Sequence, residues 1–180
     1  YNRTFATNLM FRSLLLADST LTKTSPDLAT CEVSEDALTY TITMKDGLKW
    51  SDGEPLTADD VVWSIETAQK AAQVNPNYAT AFSYISSLTA DGNVITMVLN
   101  SPYSAMMDVL AQFAILPKHC LENADPLTME SDPFWTQPVT SGMYTVDTLN
   151  VGNYFTMKVN ENYEGTAPKI KSIQVSFVTD

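Results

Sequence analysis

The 180-residue sequence holds a single histidine, His119, and only two cysteines, Cys31 and Cys120. A metal centre built on imidazole needs a companion ligand of that kind, so no metal ligation is expected. A Ser-His-Asp site would have to use His119, yet no G-x-S-x-G stands in the chain. His119 is read instead as a turn or surface residue, since a general base also needs an orienting partner. No C-x-x-C occurs, which removes zinc-ribbon and thioredoxin-like sites. No G-x-G-x-x-G or P-loop occurs either, which removes the usual nucleotide sites. A Cys31–Cys120 disulfide stays open beside two small buried thiols. Closing so long a loop would contribute about 4 kcal/mol in the chain-entropy model.

Cations are also scarce. Lys and Arg total 10 against 21 Asp and Glu, for a formal net charge of -11. Such a surface repels phosphate backbones and anionic head groups, which excludes nucleic-acid binding and a basic membrane patch. No run approaches the ~20 apolar residues of a spanning helix. The first residues lack the basic start and apolar stretch of a signal peptide. The chain opens at Tyr1 rather than Met, so that lack is silent on compartment.

What is present is globular: 44% hydrophobic and 17% charged residues. Phe5 to Leu16 is apolar enough for a helix, and Pro26-Asp27 marks a turn. Leu38, Tyr40, Ile42 and Met44 alternate with Thr39, Thr41, Thr43 and Lys45, which predicts a half-buried antiparallel strand. Asp46-Gly47 predicts a hairpin with Leu48-Lys49-Trp50 as its return strand. Ser51-Asp52-Gly53-Glu54-Pro55 is a second tight turn. Thr57 with Asp60 three positions on is a capping-box variant, and Asp59 and Asp60 suit the positive end of a helix dipole. Val61, Ile65, Ala68 and Ala72 lie on one helical face, and the helix must stop before Asn75-Pro76. Tyr78 to Leu88 reads as a short aromatic helix or loop. Asp91-Gly92 turns into a strand at Val94 to Leu99, and Tyr103 to Phe113 is a further helix. Pro117, Pro126, Pro133 and Pro138 interrupt the next stretch. Tyr144 to Val146 and Phe155 to Val159 form a hairpin, and Ile173, Val175 and Phe177 mark a last strand.

Capping and dipole effects account for Asp59 and Asp60 without catalysis. Tyr78, Phe82 and Tyr84, set among Ala, Ser and Thr, suit an apolar pocket wall with hydroxyls at its rim. The same residues also suit a core stripe, with Tyr78, Phe82 and Ile85 on one face. Met106 and Met107 read as core filler.

The run from Leu48-Lys49-Trp50-Ser51-Asp52-Gly53 through Thr57-Ala58-Asp59-Asp60-Val61-Val62-Trp63 resembles the signature of the peptide/nickel family (family 5) of ABC-importer solute-binding proteins. The likeness extends upstream to Pro26-Asp27-Leu28-Ala29 and Leu38-Thr39-Tyr40-Thr41-Ile42. Downstream it takes in Ser101-Pro102-Tyr103, Leu116-Pro117-Lys118-His119 and Asn160-Glu161-Asn162-Tyr163, in the family's order. Two departures stand out. Thr140-Ser141-Gly142-Met143-Tyr144 lacks the first glycine and the proline of the family's segment there. Cys31 takes the place of a frequent tryptophan.

The resemblance implies an α/β, periplasmic-binding-protein-like class II fold with mixed sheets and flanking helices, of which this chain is the first lobe only. Residues 1–17 and 137–180 would be parts of the core lobe, and 18–136 a family-specific extra subdomain. The second lobe would lie outside this chain. It further implies an extracytoplasmic binding protein, not an enzyme, free in the periplasm or lipid-anchored at the outer face of the membrane. Such a protein, working as a monomer without cofactor, would capture oligopeptides or a similar small solute for an ABC permease. By the family's layout the cleft would be approached by Phe5, Thr7 and Met10, by Tyr78, Phe82 and Tyr84, and by Gln112 and Phe113. The alternative is a sensory or adhesion module that reuses the fold to bind a peptide signal or surface partner.

Overall fold

The structure, a computed structural model, describes residues 7–20 and 23–177. Residues 7–10 are helical, and the chain then extends into β1 (Leu15–Ala17), paired antiparallel with β2 (Thr24–Pro26). The expected helix through Leu16 therefore ends early. Leu14 and Leu15 are buried where the strand meets the core, and a short apolar run does not by itself separate helix from strand.

The centre of the fold is a four-stranded antiparallel sheet in the order β3 (Ala29–Val33), β4 (Thr39–Met44), β6 (Val94–Leu99), β5 (Ile85–Asp91). Period-two alternation builds its inner face. Tyr40 opposes Met97 and Ile42 opposes Ile95, and all four are buried. Each such side chain contributes about 1.5–3 kcal/mol on burial. Helix α1 (Ala58–Lys70) packs against β5 and β6, burying Val61 and Ile65. Ala72 lies beyond its end.

Two expectations are corrected. Leu48 to Trp50 is no return strand, because β4 already has β3 and β6 as neighbours. Instead Gly47 turns the chain away at φ 74°, and a single bridge joins Lys49 to Pro55 around the Ser51–Glu54 turn. Conversely, Ile85–Asp91 is a strand that periodicity did not announce.

A 3₁₀ turn at Pro76–Tyr78 leads into the one-turn helix α2 (Ala79–Phe82). Helix α3 runs Met106–Gln112, later than the expected start at Tyr103, and α4 spans Lys118–Leu121. The proline-rich stretch forms 3₁₀ turns at Met129–Ser131 and Pro133–Thr136. A third antiparallel sheet, β7 (Tyr144–Asn150), β8 (Tyr154–Val159) and β9 (Ser172–Ser176), follows the predicted hairpin. No helix among the described residues is long and apolar enough to cross a membrane.

Candidate functional site

Helix α1 is the fixed point from which the candidate residues are positioned. Its capping residue Asp60 is buried, and its carboxylate is saturated with donors. Oδ2 accepts the backbone N–H of Thr57 at 2.9 Å and the Thr57 hydroxyl at 3.3 Å. The Trp50 indole N–H approaches the same oxygen at 3.5 Å, while Oδ1 accepts the Lys118 N–H at 2.9 Å. One turn on, Ser64 Oγ accepts the Leu116 N–H at 3.0 Å. At the far end, Gln69 donates Nε2–H to the Phe82 carbonyl at 2.9 Å. The helix thus holds the 116–118 segment along one flank and α2 at its end.

Four of the predicted residues meet there. Tyr78 stacks on Phe82 with ring centroids 5.8 Å apart, and Phe113 stands edge-on to both at 5.2 and 4.9 Å. The Tyr78 hydroxyl donates to the Gln112 carbonyl at 3.2 Å. Burial pushes the Tyr78 phenol above its ordinary pKa, so it stays a neutral donor. Phe82 is fully enclosed and Phe113 nearly so. These two form the backing of the wall, and half-buried Tyr78 and exposed Gln112 form its surface. Tyr84 leaves the group and stacks on Tyr103 at 4.8 Å.

The chain start forms a second cluster. The Met10 carbonyl accepts the N–H groups of Ser141 and Gly142 at 3.0 and 2.7 Å, and the Thr7 carbonyl that of Phe11 at 2.8 Å. The Arg12 carbonyl accepts the Ile115 N–H at 3.0 Å. Residues 10–12 are therefore tied both to the segment after α3 and to the 140–142 turn. That places Met10 within the same framework as Phe113. Phe5 lies outside the described residues.

Gly142 explains which part of the altered 140–144 segment had to stay. A Cβ there would meet the Leu9 carbonyl oxygen at 2.4 Å. Nearby, the Arg12 side chain joins its own segment to two others. It pairs with Asp27 at 2.7 Å and Glu164 at 2.9 Å, and lies 5.3 Å over the Tyr163 ring. Burial opposes its charge, but the Asp27 hydrogen bond and the charges of Asp27, Tyr163 and Glu164 hold its pKa above the ordinary value. Glu164 also accepts the Lys49 N–H, which links this network to the signature turn. No sequence signal marked Arg12, whose partners are distant in the chain.

Both cysteines are free, so the disulfide is not formed. An apolar hollow of about 330 Å³, lined by Met44, Leu48, Pro55 and Leu56 among others, shares no residue with the aromatic wall. Among the described predicted residues, Thr7, Met10, Tyr78 and Tyr84 are half-buried and Gln112 is exposed, while Phe82 and Phe113 are buried.

The fold is shared with known proteins. Protein XP55 of Streptomyces lividans is 33% identical over 178 residues, covering 95% of this chain and 31% of its own length. Among solved structures, NikZ from Campylobacter jejuni, in complex with Ni(L-His), superposes with a TM-score of 0.83 at 30% identity. That match covers 95% of this chain and 34% of NikZ. The periplasmic oligopeptide-binding protein of Thermotoga maritima, with mannohexaose bound, gives a TM-score of 0.83 at 30% identity, over 94% of this chain and 32% of that one. The chain therefore spans about a third of the length of the relatives it matches. The profile of the bacterial extracellular solute-binding proteins, family 5, middle region, matches residues 23–180, and the chain belongs to that family.

Proposed function

We propose that the complete protein captures oligopeptides or a similar small solute outside the cytoplasm and delivers it to an ABC importer. The observation that carries this reading is family membership across residues 23–180, joined to the fold shared with a periplasmic oligopeptide-binding protein. Residues 1–17 and 137–180 belong to the core of the first lobe in this reading, and 18–136 to its extra subdomain. Capture proceeds by closure of a second lobe onto the surface displayed by Thr7, Met10, Tyr78, Tyr84 and Gln112, with Phe82 and Phe113 behind it. No bond is made or broken. Backbone contacts to an extended peptide give affinity with weak sequence preference. The family tolerates different ligands on this scaffold, as the Ni(L-His) and mannohexaose complexes of the two relatives illustrate. The protein acts as a monomer and hands its solute to a membrane permease. Calorimetric titration of the complete protein with short peptides tests the reading. Saturable binding supports it, and heats no larger than dilution across peptides of several lengths refute it.

A further inference from the structure

We infer that Asp52, His119 and Cys120 form a surface site for a borderline divalent transition-metal ion, separate from the solute-binding surface. Their ligand atoms, one from each residue, all lie within 4.8 Å of one another. His119 Nε2 stands 2.9 Å from Asp52 Oδ2 although the residues are 67 positions apart. That separation explains why sequence reading found no companion for the imidazole. Donors bound to zinc at about 2.0–2.3 Å sit roughly 3.3–3.8 Å apart around a tetrahedron, so the widest separation need close by only about 1 Å while the imidazole and carboxylate part by about 0.4 Å. All three residues are exposed, which leaves their side chains free to do so.

The framework beneath is fixed. Asp52 Oδ1 accepts the Glu54 N–H at 3.1 Å, which holds the carboxylate in its turn with Oδ2 towards His119. The His119 ring lies against buried Trp50, centroids 6.3 Å apart. The Lys118 N–H bonded to Asp60 pins the start of α4, which carries both His119 and Cys120. A cleft of about 260 Å³ beside His119 is lined by Glu54, Asp59, Asp60 and Glu122 against one cation, Lys118, so the balance of charge favours a cation. An imidazole, a thiolate and one carboxylate match zinc better than calcium or magnesium, which take oxygen ligands. Water completes the fourth position. The ion cross-links the Ser51–Pro55 turn to α4. This inference does not rest on the solute-binding reading.

The test is a zinc titration of the complete protein after chelator treatment, in competition with a chromophoric indicator, beside His119→Gln, Cys120→Ser and Asp52→Asn. We expect one zinc per chain in this site, and affinity roughly tenfold or more weaker in each variant. Cobalt(II) in place of zinc should give thiolate-to-metal charge-transfer absorption that disappears in Cys120→Ser. Far-ultraviolet circular dichroism checks that the variants remain folded. Absence of stoichiometric zinc, or zinc affinity and cobalt spectra unchanged by His119→Gln and Cys120→Ser, would overturn the site.

Discussion

Asp60 Oδ1 accepts the backbone N–H of Lys118 at 2.9 Å, and this bond joins two motifs that the sequence separates by more than fifty residues. The other oxygen of the same carboxylate caps the helix that Asp60 belongs to. A single buried acid therefore ties helix start, signature tryptophan and downstream loop together. Asp60→Ala leaves the Thr57 and Lys118 amides without their acceptor. Hydrogen bonds to charged groups contribute about 1.5–3 kcal/mol. We expect stability to fall by about 2–4 kcal/mol, with Asp60→Asn intermediate. Thermal and urea unfolding check this, and a wild-type midpoint for Asp60→Ala would refute the hub.

Gly142→Ala should also destabilise, by about 1–3 kcal/mol. The added methyl meets backbone at Leu9 and Met10 rather than a side chain that could rotate away. Gly92→Ala is the useful comparison. That position has φ 59° but open space around it, so its cost is conformational, about 1 kcal/mol. Equal midpoints for Gly142→Ala and wild type would show that the chain start can shift.

Cys31 should be the less reactive of the two thiols, because it is half-buried whereas Cys120 is exposed. Burial, with a smaller contribution from Glu32, pushes Cys31 up to about 11. Burial and the Asp52 and Asp60 charges also raise Cys120. A raised thiol holds its proton longer, so the nucleophilic thiolate is depleted below the shifted value. Relative to an ordinary thiol near 9.0, Cys31 carries about a hundredfold less thiolate at neutral pH. Alkylation with iodoacetamide followed by peptide mass spectrometry should show that deficit at pH 7.5. The deficit should shrink as pH rises from 9 towards 11. Labelling of Cys31 at the rate of a free thiol would contradict the burial.

Tyr84→Ala in the complete protein should weaken solute binding by roughly tenfold, the scale of about 1–2 kcal/mol for a lost aromatic contact. Its loss of stability should be smaller, because Tyr84 is half-buried and stacks only on Tyr103 among the rings around it. Calorimetry reads the first quantity and thermal unfolding the second. Unchanged affinity would remove Tyr84 from the binding surface.

How far the fold was legible depended on whether local pattern and environment agreed. The alternation at Thr39–Met44 and the cap at Thr57 reported their elements correctly, because one face is buried and the cap is used as such. Ile85–Asp91 is an edge strand in which only Ile85 and Leu88 are half-buried, so no alternation betrayed it. Leu48-Lys49-Trp50 imitated a strand because Trp50 is fully buried beneath the turn, for packing rather than pairing. In the candidate site, the Tyr78–Phe82–Phe113 group was foreseeable as a set of aromatics. That Phe82 lies wholly inside while Tyr78 faces outward was not. That depends on Gln69 holding the Phe82 carbonyl across thirteen residues. Arg12 and the Asp52–His119 pair were invisible for the same reason, since their partners are brought together only by the completed fold.

The most direct test of the solute-capture reading is native mass spectrometry of the complete protein purified from its own cells, beside the 180-residue chain. The account predicts a ladder of added masses on the complete protein that fragment as peptides, and none on the isolated chain. A single added non-peptide mass would keep the capture mechanism and change the solute. A complete protein that flies empty, and remains so after incubation with peptide mixtures, would contradict the account.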